Sequence, residues 1–232
     1  MPNALGLDDD LEPVDALVSL EEAFALKISD DEAATCSTVG DVYDLLHFRF
    51  AAQIGEPGSC MTSMAFYRLR KSLRGKHPGV EFRPDTSLTP YAGWNVRAFL
   101  NRLRSDTGLH IPGPQGRWLS GVGCVLILLA LVCVVIAAIK GPSTLAMAAF
   151  GLFLAGAALI RFDPGALPDD CATVGKLAIK ASALNYGSLA RAGGAVRADG
   201  IWDAMAEVLS RHSDLPSAEM RRDTSILHRP RR

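Results

Sequence analysis

The chain has 232 residues, of which 49% are hydrophobic, and a net charge of −1 at pH 7. This length can hold one or two small domains beside a membrane segment, and the balanced charge without a nucleic-acid motif argues against a nucleic-acid partner. The five cysteines form no CxxC pair and the histidines show no metal-ligand spacing. We therefore expect no disulfide and no metal site.

Charge is distributed unevenly along the chain. Acidic residues dominate residues 1–50, and basic residues are concentrated in 51–117. Such a pattern predicts either that the two segments dock on each other or that the basic one faces anionic lipid headgroups. The first residues, MPNALGLDDDLEP, are acidic and lack an apolar core, so no signal peptide is expected there.

The first part of the chain predicts three helical segments. Residues 11–26 carry apolar side chains at helical spacing, with carboxylates on other faces. Asp30 and Asp31 open a short helical turn, and Thr38 precedes a third helix as a capping residue. The apolar face of the first helix is predicted to contain Val14, Leu17, Val18, Leu20 and Phe24.

These signals, from Leu17 to Leu46, resemble the later helices of acyl carrier proteins. Those helices contain an L-E-E-x-F phrase, then I-x-D-x-E-A, then T-V before the last helix. The resemblance implies a helical bundle with an acidic surface that docks on basic patches of partner proteins. The matching residues are Leu20, Glu21, Glu22 and Phe24, then Ile28, Asp30, Glu32 and Ala33, then Thr38 and Val39. The docking surface is predicted to consist of Asp15, Glu21, Glu22, Asp30, Asp31 and Glu32.

The chain departs from this family at the attachment site. Carrier proteins bind phosphopantetheine through a serine in D-S-L, and the aligned residue here is Asp10. A carboxylate cannot form that phosphodiester, and Ser19 lies too far along the helix to replace the serine. We therefore expect no phosphopantetheine or other cofactor, no catalytic residue and no enzymatic activity. The family's first helix has no counterpart before residue 11.

Two uncharged runs follow a basic middle region. After a Gly/Pro linker at residues 53–59, Cys60–Leu73 and Tyr91–Leu109 predict basic amphipathic helices, the first with Tyr67 on its apolar face. The run from Trp118 to Ile139 is long enough to span a bilayer, which takes roughly 20 apolar residues, and residues 144–160 form a shorter run. We predict a transmembrane hairpin; a hairpin buried in a soluble core is the alternative.

The charges flanking the hairpin predict its orientation. Arg97, Arg102, Arg104 and Arg117 precede it, whereas its turn offers Lys140. The positive-inside rule then places both termini in the cytoplasm, with two spans in the inner membrane.

The C-terminal part repeats phrases of the first half. Cys36–Gly40 (CSTVG) recurs as Cys171–Gly175 (CATVG), and the D-T-S phrase at Asp85 recurs at Asp223. This predicts an internal repeat, although both phrases are also common at helix starts and turns. Two candidates for the missing first helix remain: the C-terminal helix Ile201–His212, or the nearer Cys60–Leu73, which costs less loop entropy and is favoured.

Together these patterns predict an all-α fold with carrier-protein-like bundles and a transmembrane hairpin. The predicted segments are an acidic carrier-like part (1–52), a basic part (53–117), the hairpin (118–161) and a C-terminal part (162–232). The favoured function is a membrane-anchored interaction module whose partner is a protein such as an acyl-transfer or lipid-synthesis enzyme. The alternatives are an accessory subunit of a lipid or polyketide assembly enzyme, and a structural protein that forms homo-oligomers through Gly121, Gly151, Ala155 and Gly156.

Overall fold

A computed structural model describes residues 4–7, 12–116, 118–140 and 143–227 of the chain. These residues are mostly helical, which confirms the predicted all-α class and the helical bundle. A short parallel sheet, β1 (Ala4–Leu7) paired with β2 (Ser225–Leu227), was not predicted. The described helices are α1 (Glu12–Phe24), α2 (Asp30–Thr35), α3 (Val39–Phe50), α4 (Met61–Lys76), α5 (Thr89–Ala92), α6 (Val96–Thr107), α7 (Trp118–Lys140), α8 (Ser143–Arg161), α9 (Val174–Ala183), α10 (Tyr186–Arg191) and α11 (Ala198–Leu209).

The chain divides into two compact units, each assembled from separate stretches of sequence. The first unit contains the described residues up to Thr86, then Leu103–Pro112, then those from Thr173 onward. The second unit consists of Ser87–Arg102 and Gly113–Ala172. The division into four consecutive segments that the composition suggests stays a prediction.

In the first unit, helices from opposite ends of the chain pack together. Helix α11 contacts α1 and α3, whereas α4 contacts α9. The Tyr43 and Trp202 rings lie 5.5 Å apart, and Ser19 Oγ is 2.8 Å from His212 Nε2. The favoured prediction, that the nearby Cys60–Leu73 helix would pack on the N-terminal helices, is therefore wrong. The loop-entropy difference that favoured it is only about 0.6 kcal/mol per doubling of loop length, so side-chain packing overrides it.

The two linkers that lead into α4 and α11 run side by side. Ser59 N–H donates to the Gly193 carbonyl at 3.0 Å, and Ala195 N–H donates to the Ser59 carbonyl at 2.9 Å. Gly58 is needed at this crossing, because a Cβ there would lie 2.6 Å from the Ala195 nitrogen. This close contact joins the linker before α4 to the linker before α11. Each of these helices packs against helices from the opposite end of the chain.

The two T-V-G phrases begin helices and bind distant loops through equivalent backbone atoms. Thr38 caps α3 by accepting from Asp41 N–H at 3.2 Å, and Thr173 caps α9 by accepting from Lys176 N–H at 3.3 Å. Each phrase also donates two N–H groups to the loop that holds a D-T-S phrase of the other half. These bonds run from Val39 to Thr224 (2.9 Å), from Gly40 to Arg222 (2.9 Å), from Val174 to Thr86 (3.0 Å) and from Gly175 to Pro84 (2.8 Å).

An aromatic cluster joins the N-terminal helices to α10. The Tyr186 ring lies 5.4 Å from that of Phe24 and 5.9 Å from that of Phe50. Gly187 follows Tyr186 and faces the Phe24 carbonyl so closely that a Cβ would lie 1.7 Å from that oxygen. A side chain at this position would push α10 away from α1.

The buried faces of α1 and α4 differ from the predicted ones. Val14 and Val18 are 55% and 44% exposed, whereas Ala16, Leu20 and Phe24 are buried, so the core-facing stripe of α1 is rotated. In α4 the buried residues follow an i, i+4 spacing, and Tyr67 is 62% exposed. The predicted faces were too wide, because they included exposed apolar residues that flank the narrow buried stripe of each helix. The buried residues of α4 are Met61, Ala65, Leu69 and Leu73.

Two predicted helices are interrupted. The helix predicted over Tyr91–Leu109 breaks at Gly93, whose φ of 62° is left-handed, and restarts where Asn95 Oδ1 accepts from Ala98 N–H at 2.9 Å. The helix that begins at the second T-V-G phrase is interrupted as well, because α9 ends at Ala183 and α10 begins at Tyr186; between them lies Asn185, which is 4% exposed. Its side-chain amide donates to the carbonyls of Ala181 (2.7 Å) and His110 (2.8 Å) and accepts from His110 N–H, so it tethers another chain segment.

The second unit is built around α7 and α8, which pack against each other along their length. They run antiparallel, because Gly123 meets Gly156 and the helix start at Ser120 meets Asp163. A Cβ on Gly123 would lie 2.8 Å from the Gly156 carbonyl oxygen, and one on Gly156 would lie 2.7 Å from that of Gly123. The helices therefore contact each other through their backbones at this point. The predicted turn residues Gly141 and Pro142 lie outside the described residues.

A buried carboxylate closes the base of this helix pair. Asp163, 3% exposed, accepts from Ser120 N–H at 3.0 Å through Oδ2 and from Gly165 N–H at 2.8 Å through Oδ1. It thereby binds a backbone amide in the first turn of α7, where negative charge is also favoured by the helix dipole. Residues just beyond α8 are thus fixed to the beginning of α7.

Candidate functional site

The carboxylates predicted to form a docking surface fall into two groups. Asp15 and Glu22 lie two turns apart on α1, Asp30 and Asp31 begin α2, and all four are exposed. We call these four the acidic surface. Among the described residues, Asp15, Asp30 and Asp31 have no ion pair, and Glu22 Oε2 is 3.9 Å from His110 Nδ1. Four carboxylates are therefore presented to solvent by adjacent elements of the first unit.

Glu21 does not belong to that surface. It is 9% exposed, and its carboxylate binds Lys27 Nζ at 2.6 Å and Ile28 N–H at 2.7 Å. These two hydrogen bonds, the one from Lys27 first, lower the pKa of Glu21 below its ordinary value of 4.5. The side chain fixes the connection between α1 and α2, so it is unavailable to a partner.

Glu32 is occupied at the start of α2. Its Oε2 accepts from the backbone N–H and the hydroxyl of Ser29, both at 2.9 Å, and its other oxygen pairs with Arg49. The bonds from Ser29, followed by the one from Arg49, lower the pKa of Glu32. Glu32 therefore completes a capping box, and its carboxylate is already bonded within the chain.

An apolar cavity of about 250 Å³ lies among the helices that carry the acidic surface. Side chains from α1, α2 and α3 line it, together with Leu209 of α11 and Ile226 of β2. None of its lining residues is charged, so the cavity is suited to burying an apolar group. It depends on the C-terminal part of the chain, so sequence reasoning could not locate it.

A larger cleft, of about 670 Å³, lies near the crossing linkers. It contains the exposed thiol of Cys60, whose pKa is lowered by hydrogen bonding from Ser63 at the start of α4. The Tyr186 hydroxyl donates to the Arg197 carbonyl at 3.1 Å and accepts from its N–H at 3.2 Å. The Arg197 guanidinium pairs with Asp199 at 2.9 Å. The groups of Tyr186, Arg197 and Asp199 thus satisfy one another, whereas the Cys60 thiol is exposed.

The cysteines of the two repeated phrases lie in less reactive places. Cys171 is fully buried, and burial raises the pKa of the Cys36 thiol. Ser225, which follows the second D-T-S aspartate, lies in β2 and is half-buried. The aligned attachment position Asp10 lies outside the described residues.

The length of its apolar stretch distinguishes α7 from the other helices that the structure describes. Leu119–Ile136, with a mean hydropathy of 3.0, is the one described stretch long and apolar enough to cross a membrane, and 11% of it is buried. Met147–Arg161 in α8 is apolar but shorter. Within the described ranges, no group of three or more His, Cys, Asp or Glu side chains could hold a metal ion.

The small residues predicted to mediate oligomer contacts are placed differently from one another. Gly156 is buried against Gly123 within the helix pair, whereas Gly121, Gly151 and Ala155 are exposed. A Cβ on Gly121 or Gly151 would meet nothing within 4 Å. Gly156 therefore serves the pairing of α7 with α8, and the other three remain on the outside.

Comparisons of the chain with protein-family models, with curated proteins and with solved structures found no match.

Proposed function

We propose that the chain is a membrane-anchored, carrier-protein-like interaction module that docks partner proteins at the cytoplasmic membrane face without a phosphopantetheine group. The observation that carries the proposal is the combination, in one chain, of an apolar helix pair with an exposed acidic surface. The first feature provides an anchor, and the second provides a surface for basic partners.

The outer faces of α7 and α8 support anchoring of both helices in a bilayer. Large apolar side chains project outward along each helix. Patches of this extent on a protein surface indicate contact with lipid or with another protein, and lipid is a partner that covers both helices together. In this proposal both helices span and both termini are cytoplasmic. The exposed side chains include Val125 (55%), Leu128 (61%), Leu131 (57%), Phe150 (64%) and Phe153 (48%).

The packing of the first unit supports the carrier-like part of the proposal. With α11 placed first, the helices α11, α1, α2 and α3 follow the order of the four helices of the resembled family, and the D-T-S loop at Asp223 follows α11. The partner is a protein with a basic patch, such as an acyl-transfer or lipid-synthesis enzyme. Long-range attraction between opposite charges governs the encounter rate and the register of such complexes.

An internal repeat is the second component of this proposal. The two T-V-G phrases make matching hydrogen bonds, and each D-T-S loop is closed by the same bond from a threonine hydroxyl. Thr86 Oγ1 accepts from Arg83 N–H at 2.8 Å, and Thr224 Oγ1 accepts from Arg221 N–H at 3.0 Å. We interpret the first unit as two copies of one motif that exchange a helix and a loop. Equivalent environments explain why the two phrases are similar.

Topology mapping tests the anchor. Reporter fusions at both termini and within the turn after Lys140 should place the termini in the cytoplasm and the turn on the opposite side. The chain should also resist carbonate extraction from native membranes. Termini on opposite sides would contradict the two-span arrangement, and release by carbonate would contradict membrane anchoring.

Charge reversal tests the docking surface. In the test variant, Asp15, Glu22, Asp30 and Asp31 are changed to lysine; in the matched control, the exposed residues Glu56, Asp203, Asp214 and Glu219 of the same unit are changed. Proteins crosslinked to the full chain in native membranes are identified by mass spectrometry. Partners with basic surfaces should be lost with the first variant and kept with the second. Equal retention by both variants would reject the acidic surface as the docking site.

A further inference from the structure

A short segment of the second unit is fixed at the base of the apolar helix pair. Arg97 N–H donates to the Pro164 carbonyl at 3.0 Å, which holds the start of α6 beside the residues that follow α8. Gln115 and Ala166 exchange two backbone hydrogen bonds of 3.0 and 2.7 Å, which holds the chain before α7 at the same place. The segment from α5 to the middle of α6 therefore lies where the chain leaves the apolar helices.

Two aromatic side chains are exposed at this base. Trp94, between α5 and α6, is 72% exposed, and Phe162, directly after α8, is 79% exposed. The interior of this region is formed instead by Leu88, Val96 and Leu100, which are buried. Tryptophan is typical of the lipid headgroup region, where an amphipathic ring has both apolar and polar surroundings, and the exposed Phe162 adds apolar surface at the end of α8.

Three arginines lie near these aromatic residues in the chain. Arg161 ends α8, Arg97 is the residue bonded to Pro164, and Arg102 follows on α6. All three are exposed, and among the described residues none of them has an ion pair. The exposed carboxylates of the unit, Asp169 and Asp170, lie further along the chain, toward Ala172, which is bonded to Leu88. The base of the helix pair thus presents three exposed guanidinium groups.

We propose that Arg97, Arg102, Arg161, Trp94 and Phe162 form a collar that binds the headgroups of anionic membrane lipids. The inference rests on the proposed function, because the collar needs the helix pair to lie in a bilayer. Arg161 ends α8, Phe162 follows it directly, and Arg97 is bonded to Pro164 just beyond it. Uncompensated guanidinium groups complement phosphate charge and bind it through paired hydrogen bonds, and the aromatic rings occupy the boundary between headgroups and acyl chains.

Native mass spectrometry of the full chain, exchanged into mixtures of phosphatidylglycerol and phosphatidylcholine, measures the lipid preference. The wild type should retain phosphatidylglycerol over phosphatidylcholine, and R97Q/R102Q/R161Q should lose about fivefold of that preference for each arginine removed. R97K/R102K/R161K keeps the charges and should retain most of the preference. Absence of a preference in the wild type, or its full retention in the glutamine variant, overturns the collar. The glutamine variant could instead lose a protein partner in native membranes while its lipid preference stays unchanged. That result would show that the surface binds protein, and it would also overturn the collar.

Depth measurements test the aromatic part of the collar. In a cysteine-free chain, a fluorescent label at Trp94→Cys should be quenched by lipids that carry a quencher at the headgroup. A label at Leu128→Cys, in the middle of α7, should be quenched by lipids labelled within the acyl chain. A solvent-like label at 94 with a deeply buried label at 128 would reject the collar while leaving the anchor intact. Solvent-like labels at both positions would reject the anchor itself.

Discussion

The backbone N–H of Gly40 donates to the carbonyl of Arg222 at 2.9 Å, and a Cβ on Gly40 would lie 2.7 Å from that carbonyl oxygen. The second T-V-G phrase has the same relationship: a Cβ on Gly175 would lie 2.7 Å from the Pro84 carbonyl oxygen. In both places, the first turn of a helix and a distant loop touch through their backbones. Glycine is required there for close approach.

Substitution of Gly40 by alanine should therefore destabilise the first unit. The added methyl group must displace the loop around Arg222, and overpacking of this kind costs about 1–3 kcal/mol. Gly175→Ala should have a similar effect. Gly75→Ala is the matched control, because a Cβ there meets nothing within 4 Å and replacing a helical glycine by alanine gains about 0.5–1 kcal/mol. Thermal unfolding of the full chain in nanodiscs measures these differences; stabilisation by Gly40→Ala would contradict the contact.

Local features of this chain could be predicted from its sequence, whereas long-range pairings could not. Thr38 was recognisable as a helix cap because its role depends on neighbouring residues. The packing of α11 on the N-terminal helices was not recognisable, since loop entropy distinguishes only weakly between Ile201–His212 and Cys60–Leu73 as the missing first helix. Glu21 and Glu22 are adjacent and identical in type, yet only Glu21 turns inward, because Lys27 and Ile28 N–H lie within reach of it. That difference depends on the conformation of the loop after α1.

The exchange of helices predicts a specific pattern of crosslinks. In a cysteine-free background, Ser19→Cys with His212→Cys should crosslink through a short thiol reagent, since their side chains lie 2.8 Å apart. Thr62→Cys with Ser182→Cys should also crosslink, because their hydroxyls lie 3.3 Å apart. The mixed pair Ser19→Cys with Thr62→Cys serves as the control and should react poorly. Efficient reaction of that mixed pair alone would support local packing of α4 on α1.

Glu21 should make the stability of the first unit depend on pH. Its pKa is lowered in the folded state, so its contribution is present above the ordinary value of 4.5 and is lost as the pH falls through the folded value. Glu21→Gln should lower the free energy of unfolding by roughly 1 kcal/mol at neutral pH. The loss stays this small because Lys27 is exposed, so that solvent weakens its ion pair with Glu21. The difference in the free energy of unfolding between wild type and variant should disappear at acidic pH.

Chemical denaturation at several pH values measures this difference. Glu22→Gln is the control, since Glu22 is exposed and does not bond to the loop after α1. A Glu21→Gln effect that is equal at neutral and acidic pH would show that the side chain acts through packing instead of charge.

The helix pair should respond differently to its individual glycines. A Cβ on Gly123 would lie 2.6 Å from Ile160 Cγ1, whereas one on Gly121 meets nothing within 4 Å. Gly123→Leu should therefore force α7 and α8 apart, and Gly121→Leu should leave their spacing unchanged. Spin labels at the exposed positions Leu128 and Leu154 report the interhelical distance by pulsed electron paramagnetic resonance in nanodiscs.

These two variants, together with Gly151→Leu, separate the anchor from the oligomer alternative. Gly121 and Gly151 are open on the outside of the helix pair, where a second copy could approach closely. If Gly121→Leu or Gly151→Leu dissolves an oligomer while the Leu128–Leu154 distance stays constant, the structural-oligomer function gains support. If both variants behave as the wild type, and Gly123→Leu alone lengthens the distance, the small residues serve the contact between α7 and α8 within one chain. An unchanged distance in Gly123→Leu would contradict the backbone contact between Gly123 and Gly156.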